Sequence, residues 1–212
     1  MKKTLLGLAL VALTAPLAAQ ATEGNGIGYT YVQLDYVNLS QSGHGSVADG
    51  GSLSGSHEFA RNFHVFGSYA DLRSNNDVDT GFDRARLHVK ERPWTLGFGM
   101  ANSIGSRADW VTQVAYTHDR YNMRLCWDDG CFSGSDSRNL WAVNTGVQGR
   151  VTDKLTANAY VGYSNGGKYV TGNVFGDFGL VYAFNKTWAA HGGVHLNNDS
   201  TQTYGLGVRA SF

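Results

Sequence analysis

Apolar and polar residues alternate strictly along the last nine residues of the chain. The apolar positions are Tyr204, Leu206, Val208, Ala210 and Phe212, and the residues between them are small or polar. Because successive side chains of a β-strand point to opposite faces, this pattern predicts a strand with one apolar face. Such a strand is typical of one that closes a transmembrane barrel with lipid on its apolar side. The alternative is the edge strand of a soluble sandwich.

The same alternation recurs along the rest of the chain. Predicted strands run over 29–38, 51–59, 63–72, 139–151, 155–165, 173–184 and 187–197. A longer alternation continues from Phe82 to Met100 in one register, and the next strand is predicted from Trp110 to Cys126. The Gly/Ser-rich stretch from Ser40 to Gly51 predicts an external loop, whereas residues 60–62, 152–154 and 185–186 are short turns.

Long polar loops therefore alternate with short turns, which is typical of outer-membrane barrels. The chain carries 11 Tyr, 10 Phe, 5 Trp and 28 Gly but only 2 Pro, a mixture that suits many strands with crowded lumen positions. Both termini of the predicted barrel lie on the side of the short turns, so the number of strands must be even. We predict an all-β, antiparallel, up-and-down transmembrane β-barrel of ten strands, with eight or twelve as alternatives.

The N-terminus predicts the compartment. A basic pair, Lys2 and Lys3, precedes an apolar run from Leu5 to Leu13 and a small-x-small cleavage pattern at residues 19–21. Residues 1–21 therefore form a predicted secretory signal peptide, and residues 22–212 form the barrel. Removing two lysines turns 17 basic against 17 acidic residues into 15 against 17. A net charge near −2 gives no case for nucleic acid as a partner.

Several segments resemble one family of small outer-membrane barrels from xanthomonad-type bacteria, named for a proposed role in activating plant immunity. The matching segments are Tyr29 to Val37, Asn62 to Tyr69, Asp109 to Tyr116 and Phe184 to Trp188, in family order. The chain departs by an insertion around residues 84–92, by its cysteine-containing loop and by its terminal Ser-Phe. The resemblance implies a porin-like barrel without catalytic residues. It also implies that the barrel assembly machinery reads the closing strand, with Tyr204, Leu206, Val208, Ala210 and Phe212 as the assembly signal.

The cysteines and histidines allow two further predictions. In a secreted chain, Cys126 and Cys131 most simply form a disulfide, placed here in an outer loop. His191 and His195 share one face of a strand but lie about 13 Å apart at strand rise, too far to share one zinc ion. We therefore expect no metal and no cofactor. The inward set predicted to fill the lumen comprises Asp35, His64, Asp177, His191, His195 and Arg209.

Two other functions remain as alternatives. Outer-membrane lipid A deacylases carry a His-x-Ser-Asn motif, but the nearest match here, residues 195–198, has Asn197 at the nucleophile position. We therefore predict that the chain is not an enzyme. A narrow porin-like channel for small polar solutes is the second alternative to a structural or surface-interaction role.

The long strand from Phe82 carries a ladder of positive charge. About twenty residues per strand exceeds the 9–11 or so needed to cross a membrane, so the upper part should project beyond it. The projecting cations are Arg84, Arg86, Lys90 and Arg92, joined by Arg120 and Arg124 of the next strand. The forked N–H donors of arginine match the geometry of phosphate oxygens, so we predict that this face docks lipopolysaccharide. We also expect the protein to be a monomer embedded in outer-membrane lipid. The alternatives are a solvated hairpin and a turn at Pro93, which would give twelve strands.

Overall fold

The computed structural model describes residues 25–43, 45–79, 84–127, 130–166 and 172–212, and at 76–79 and 84 the backbone alone. The predicted signal peptide lies outside these ranges. The strands are β1 (Tyr31–Gln41), β2 (Gly45–Ala60), β3 (Phe63–Asp79), β4 (Arg84–Glu91), β5 (Trp94–Ser103), β6 (Ala108–Trp127), β7 (Gly130–Arg150), β8 (Leu155–Asn165), β9 (Asn173–Ala183), β10 (Trp188–Asn197) and β11 (Thr201–Ser211). Among the described residues, no helix is long and apolar enough to span a membrane.

The strands form one closed antiparallel sheet. Neighbouring strands pair in chain order, and β1 pairs with β11 over its whole length, from Tyr31 opposite Ser211 to Gln41 opposite Thr201. This pairing closes the sheet on itself and leaves no open edge, which is the condition for a barrel in lipid. The prediction of an antiparallel barrel is confirmed, and the soluble sandwich is excluded.

Strands β4 and β5 lie end to end and act as one strand. β6 pairs with both in a constant register, and β3 does the same. The interruption falls at Pro93, which has no N–H to donate to the ladder. The ladder nevertheless continues, because Arg92 N donates to Arg120 O at 3.0 Å and Ala70 N donates to Pro93 O at 3.0 Å. The barrel therefore has ten strands as predicted, and the turn at Pro93 that would have given twelve is wrong.

A band of exposed apolar side chains surrounds the outside of the barrel. Leu206 is 70% exposed, which would be costly in water but is favourable against lipid. Aromatic residues bound the band on both sides: Tyr36, Tyr69, Trp94, Tyr116, Trp141, Tyr163 and Tyr204 above, and Phe63, Phe98, Trp110, Tyr182, Phe184 and Trp188 below. Aromatic girdles of this kind mark the two interfaces of a membrane.

The two ends of the barrel differ in their connections. Short turns join the strands at the end where β1 begins and β11 ends, which by the outer-membrane rule is the periplasmic end. At the other end, the predicted external loop from Ser40 to Gly51 is wrong. β2 already begins at Gly45, opposite Gln41 of β1. Its small residues are held in a strand because they pair with β1 from Gly45 and also with β3 from Asp49.

The chain before β1 enters the periplasmic end of the lumen. Ile27 and Tyr29 are buried there in a cluster with Ala101 and Val111. Asn25 anchors the segment, because its Nδ2 donates to Asp109 and to Ser103 Oγ, the latter at 3.3 Å. The predicted strand began at Tyr29, whereas β1 begins at Tyr31, and residues 25–28 were not predicted because they are too few to show a period.

Deletion of Phe212 should lower the amount of inserted protein severalfold. Its N–H donates to Thr30 O at 3.0 Å, where the first and last strands meet, and the closing strand presents its apolar side chains outward. The proportion of heat-modifiable barrel in the membrane fraction, measured by gel migration before and after boiling, tests this expectation. Phe212→Trp, which keeps an aromatic end, serves as the control. Equal insertion of the deletion variant would contradict an assembly role.

Candidate functional site

One side of the barrel rises far above the upper aromatic girdle. β6 continues from Tyr116 to Trp127, and β7 begins at Gly130 before it reaches Trp141 at the girdle. In contrast, β8 ends at Asn165 and β10 at Asn197. At about 3.3 Å per residue, β6 projects on the order of 35 Å before tilt is considered. We call the projecting parts of β3, β4, β6 and β7 the outer wall.

In the outer wall the outward strand face is polar and the inward face is apolar, which reverses the arrangement in the membrane-spanning part. Directly opposite residues share a face, and one outward row contains Arg73, Lys90, Asn122 and Ser135. The next outward row contains Asn75, His88, Arg124 and Ser133. The inward face instead carries Leu72, Leu87, Val89, Met123, Leu125 and Phe132. Because the lipid-facing side of the same strands is apolar lower down, the outer wall lies above the hydrocarbon layer.

The predicted cations occupy the outward face of the outer wall. Arg86, Lys90, Arg92, Arg120 and Arg124 all share this face through the common register of β4 and β6. The side chain of Arg84 lies outside those described. Arg73 also belongs to this cationic face but was not predicted from the sequence. Arg73 was missed because the predicted strand ended at residue 72, although its alternation continues in the structure to Asp79.

Asp71 is an acidic residue within this cationic face. Lys90 Nζ lies 2.9 Å from its carboxylate, Arg73 Nε 3.2 Å and Arg92 Nε 3.3 Å. Partial burial opposes ionisation, but the hydrogen bonds and charges of Lys90 and Arg73 hold the pKa of Asp71 below its usual value. Three cations thus surround one carboxylate, and the group keeps a net positive charge.

A shallow groove of about 650 Å³ lies on the outer wall. Its charged and imidazole-bearing residues are Arg73, His88, Lys90 and Arg124, and its other polar residues are Asn75, Asn122, Ser133 and Ser135. Every cationic or amide side chain in this set supplies N–H donors. The groove therefore suits an oxygen-bearing anion better than a cation.

Cys126 and Cys131 lie opposite each other in the register of β6 and β7, with their Sγ atoms 2.12 Å apart in a disulfide. Their placement in an outer loop is wrong, because the strands extend past both cysteines to Trp127 and Gly130. The disulfide therefore links the tip of a regular hairpin. It closes a ring of a few residues, so its effect is local.

An acidic pair lies on the inward side, at the base of the outer wall, with Asp119 buried and Glu91 half-buried. Arg138 Nη2 lies 3.0 Å from Asp119 Oδ2 and 3.3 Å from Glu91 Oε1, and its guanidinium carbon lies 4.6 Å from the centre of the Tyr121 ring. Burial raises the pKa of Glu91 to about 7, and the nearby Asp119 acts in the same direction. This cluster could not be predicted from alternation along the chain, since its members come from three strands.

The six predicted lumen residues all face inward. His191 Nδ1 lies 2.9 Å from Asp35 Oδ1, and His195 Nδ1 lies 2.6 Å from Asp177 Oδ1. Arg209 Nε donates to Gln33 Oε1 at 2.7 Å. His64 stacks on Tyr29 with ring centres 4.8 Å apart. Polar side chains thus fill much of the lumen at this level.

The histidine–aspartate pair at His195 has no serine placed as a nucleophile beside it among the contacts of the described residues. Instead, His195 Nε2 lies 3.1 Å from Asn197 Oδ1. An amide there cannot act as the nucleophile of a deacylase. The described residues contain no group of three or more His, Cys, Asp or Glu side chains that could hold a metal ion. The absence of enzymatic activity stays a prediction.

Comparison with known proteins finds neither a matching family model nor a matching curated protein. Similar solved structures include a KdgM porin in complex with disordered oligogalacturonate, at 12% identity, TM-score 0.47, and coverage of 86% of this chain and 99% of that chain. Ail, the attachment invasion locus protein of Yersinia pestis, has 14% identity, TM-score 0.43, and coverage of 87% and 97%. The translocator domain of autotransporter NalP from Neisseria meningitidis has 10% identity, TM-score 0.48, and coverage of 100% and 98%.

These likenesses concern the fold, and no residue role is carried over from them. The closed ten-stranded sheet, the exposed apolar band and the two aromatic girdles define a small outer-membrane β-barrel. The resemblance to the xanthomonad-type family stays a prediction.

Proposed function

We propose that this protein is a surface-interaction barrel whose outer wall docks the phosphate-bearing headgroups of lipopolysaccharide. The observation that carries the proposal is the cationic outward face of β4 and β6, directly above the girdle residues Trp94 and Tyr116. Phosphate groups lie at this height in the outer leaflet. The same strands thus present apolar side chains to acyl chains below and cations to phosphates above.

The chemistry of the cations supports phosphate as the bound group. Arg86, Arg120 and Arg124 offer planar forks of N–H donors, which can bind two phosphate oxygens at once. Asp71 holds Lys90 and Arg92 in place, which lowers the entropy lost when an anion binds. A solvated face without a ligand would gain nothing from grouping these cations on one side of the barrel.

The proposal includes a monomer surrounded by outer-membrane lipid. The closed sheet satisfies its own backbone hydrogen bonds and needs no second copy to complete it. We also propose that the barrel assembly machinery inserts the protein through its closing strand.

Replacing Arg86, Arg120 and Arg124 together by glutamine should weaken lipopolysaccharide binding at least tenfold. These three arginines are chosen because the ion pairs of Asp71 then remain intact. Each charge-assisted contact is worth about 1 kcal/mol at an exposed site, so three lost contacts exceed a factor of ten. The concentration of purified lipopolysaccharide that half-saturates the rise in melting temperature measures the effect.

A matched control removes three positive charges at the periplasmic end of the barrel instead. Arg61, Lys154 and Lys186 lie in the short turns of the periplasmic end, and their replacement by glutamine should leave the half-saturating concentration unchanged. Equal lipopolysaccharide binding by the two triple variants would sink the docking proposal and leave the outer wall as solvated surface.

A further inference from the structure

Two cavities lie in line within the lumen. The inner chamber has a volume of about 250 Å³ and is lined by residues that include Ser56, His64 and Asn144. The lower cavity, of about 680 Å³, reaches the short turns of the periplasmic end. Gln148 and Arg209 line both cavities, so these two side chains separate them.

The inner chamber is built to hold water. Ser56 Oγ, His64 Nδ1 and Asn144 Oδ1 are buried without a hydrogen-bond partner in the described part of the chain, and all three residues line the chamber. A buried polar atom without a partner costs about 1–3 kcal/mol, which water can offset. At about 30 Å³ per molecule, the chamber has room for roughly eight waters. The three atoms therefore indicate a hydrated compartment.

Small side chains line the lumen between the chamber and the outer end. The inward positions there include Ser52, Ser54, Ser68, Ala115, Thr117, Ala142 and Gly205, whereas the rings of Phe66 and Phe175 occupy the space beside Gly97 and Gly162. Ser68 is exposed although it faces inward, which shows that solvent reaches this level. The upper lumen is therefore open enough for water, and the narrow point lies lower, between the two cavities.

Two contacts hold Arg209 at this narrow point. Its Nε donates to Gln33 Oε1 at 2.7 Å, and its guanidinium carbon lies 3.9 Å from the centre of the Tyr31 ring. Together they contribute about 2–5 kcal/mol, so Arg209 leaves this position only for a small fraction of the time. On the opposite side, Gln148 accepts a hydrogen bond from Tyr160 Oη at 3.0 Å.

We propose that the lumen is a gated passage for small polar solutes, with the side chain of Arg209 as its gate. Rotation of Arg209 away from Gln148 would join the two cavities. Anions should pass more readily than cations, because Arg209 places a positive charge at the narrow point and Asp177, the acidic residue that lines the inner chamber, is paired with His195. The lower mouth adds Arg150, Lys154 and Lys186 against the acidic side chain of Asp153.

The N-terminal segment sets the width of the passage. Gly26, Ile27 and Gly28 form one wall of the lower cavity, and Arg150 Nη1 donates to Asn25 O at 3.2 Å to hold that wall in place. The segment therefore restricts the passage to solutes of a few heavy atoms. Large solutes are excluded even when Arg209 has moved.

Single-channel recording of the full protein in a planar bilayer with potassium chloride tests the proposal. We expect brief, small openings for the native protein, with a reversal potential that favours chloride under a salt gradient. Arg209→Ala should raise the mean current at least threefold and shift the reversal potential toward zero. Gln148→Ala, on the other side of the narrow point, should raise the current but keep the preference for chloride.

Arg61→Ala is the matched control, since it removes one positive charge from a short turn of the periplasmic end that lines neither cavity. Its current should equal that of the native protein. Migration of boiled and unboiled samples establishes that each variant is a closed barrel. If Arg209→Ala and Gln148→Ala both form barrels that conduct no more than the native protein, the two cavities are not joined through Arg209 and the proposal is overturned. The same conclusion follows if the native openings favour potassium.

Discussion

Replacement of Gly207 by valine should prevent most of the protein from forming a closed barrel. Gly207 of β11 lies opposite Asp35 of β1, at the seam where the first and last strands meet. A Cβ at this position would overlap the carbonyl oxygen of Leu34 and the side chain of Asp35. The carbonyl belongs to the backbone and cannot move without breaking the ladder that closes the sheet. The fraction of protein that is heat-modifiable in a detergent gel measures closure.

Gly205→Val is the matched control for this substitution. Gly205 lies on the same strand and the same inward face, but a Cβ at Gly205 meets no atom within 4 Å. Valine also has a higher strand propensity than glycine, so the Gly205 variant should fold at least as well as the native protein. Similar closure of both variants would contradict the steric argument for the seam.

The fold could be predicted from the sequence because the alternation of apolar and polar residues identifies the strands and their lipid-facing sides. In a barrel whose outside faces lipid, each strand must place apolar residues at every second position, as Tyr204, Leu206 and Val208 do. The register of the long strand at Pro93 could be predicted for the same reason, since the parity of Arg92 and Trp94 is unchanged across the proline. The extent of β2 could not, because glycine and serine residues show no apolar period.

The functional sites were predicted less well, because they depend on which strands become neighbours. The outward direction of Arg86 and Arg124 follows from parity within one strand. The grouping of Lys90 and Arg92 around Asp71 instead requires the pairing of β3 with β4. The two cavities separated by Arg209 depend on side chains from strands far apart in the chain, so alternation could indicate inward positions but not the space between them.

The inward acidic cluster has the same origin, because Glu91, Asp119 and Arg138 come from three different strands. Asp119 is only 2% exposed, and Arg138 supplies the positive charge beside it. Removing one partner of a fully buried pair leaves an uncompensated charge, which typically costs about 3 kcal/mol or more. Because the side chain of Arg138 is itself 42% exposed, Arg138→Met should destabilise the base of the outer wall by less, about 1–2 kcal/mol at pH 8.

Amide hydrogen exchange of β4 and β6 measures this local loss. Arg138→Met combined with Asp119→Asn should recover most of it, since the charge that lacks a partner is then also removed. Arg107→Met serves as a control, because the pair of Arg107 with Asp153 is exposed and should contribute little. Equal exchange in the Arg138 and Arg107 variants would show that the cluster does not stabilise the outer wall.

Local stability of the outer wall should also fall as the pH rises. Burial raises the pKa of Glu91 from 4.5 to about 7, with Asp119 adding to the shift, so the folded state binds more protons than the unfolded state between these values. Protonated Glu91 thus makes its full contribution to the local stability below about pH 4.5, and this contribution is lost as the pH rises through 7. Glu91→Gln should abolish this slope in the hydrogen exchange of β4 and leave the wall more stable than native at pH 8. A slope that persists in Glu91→Gln would assign the titration to another group.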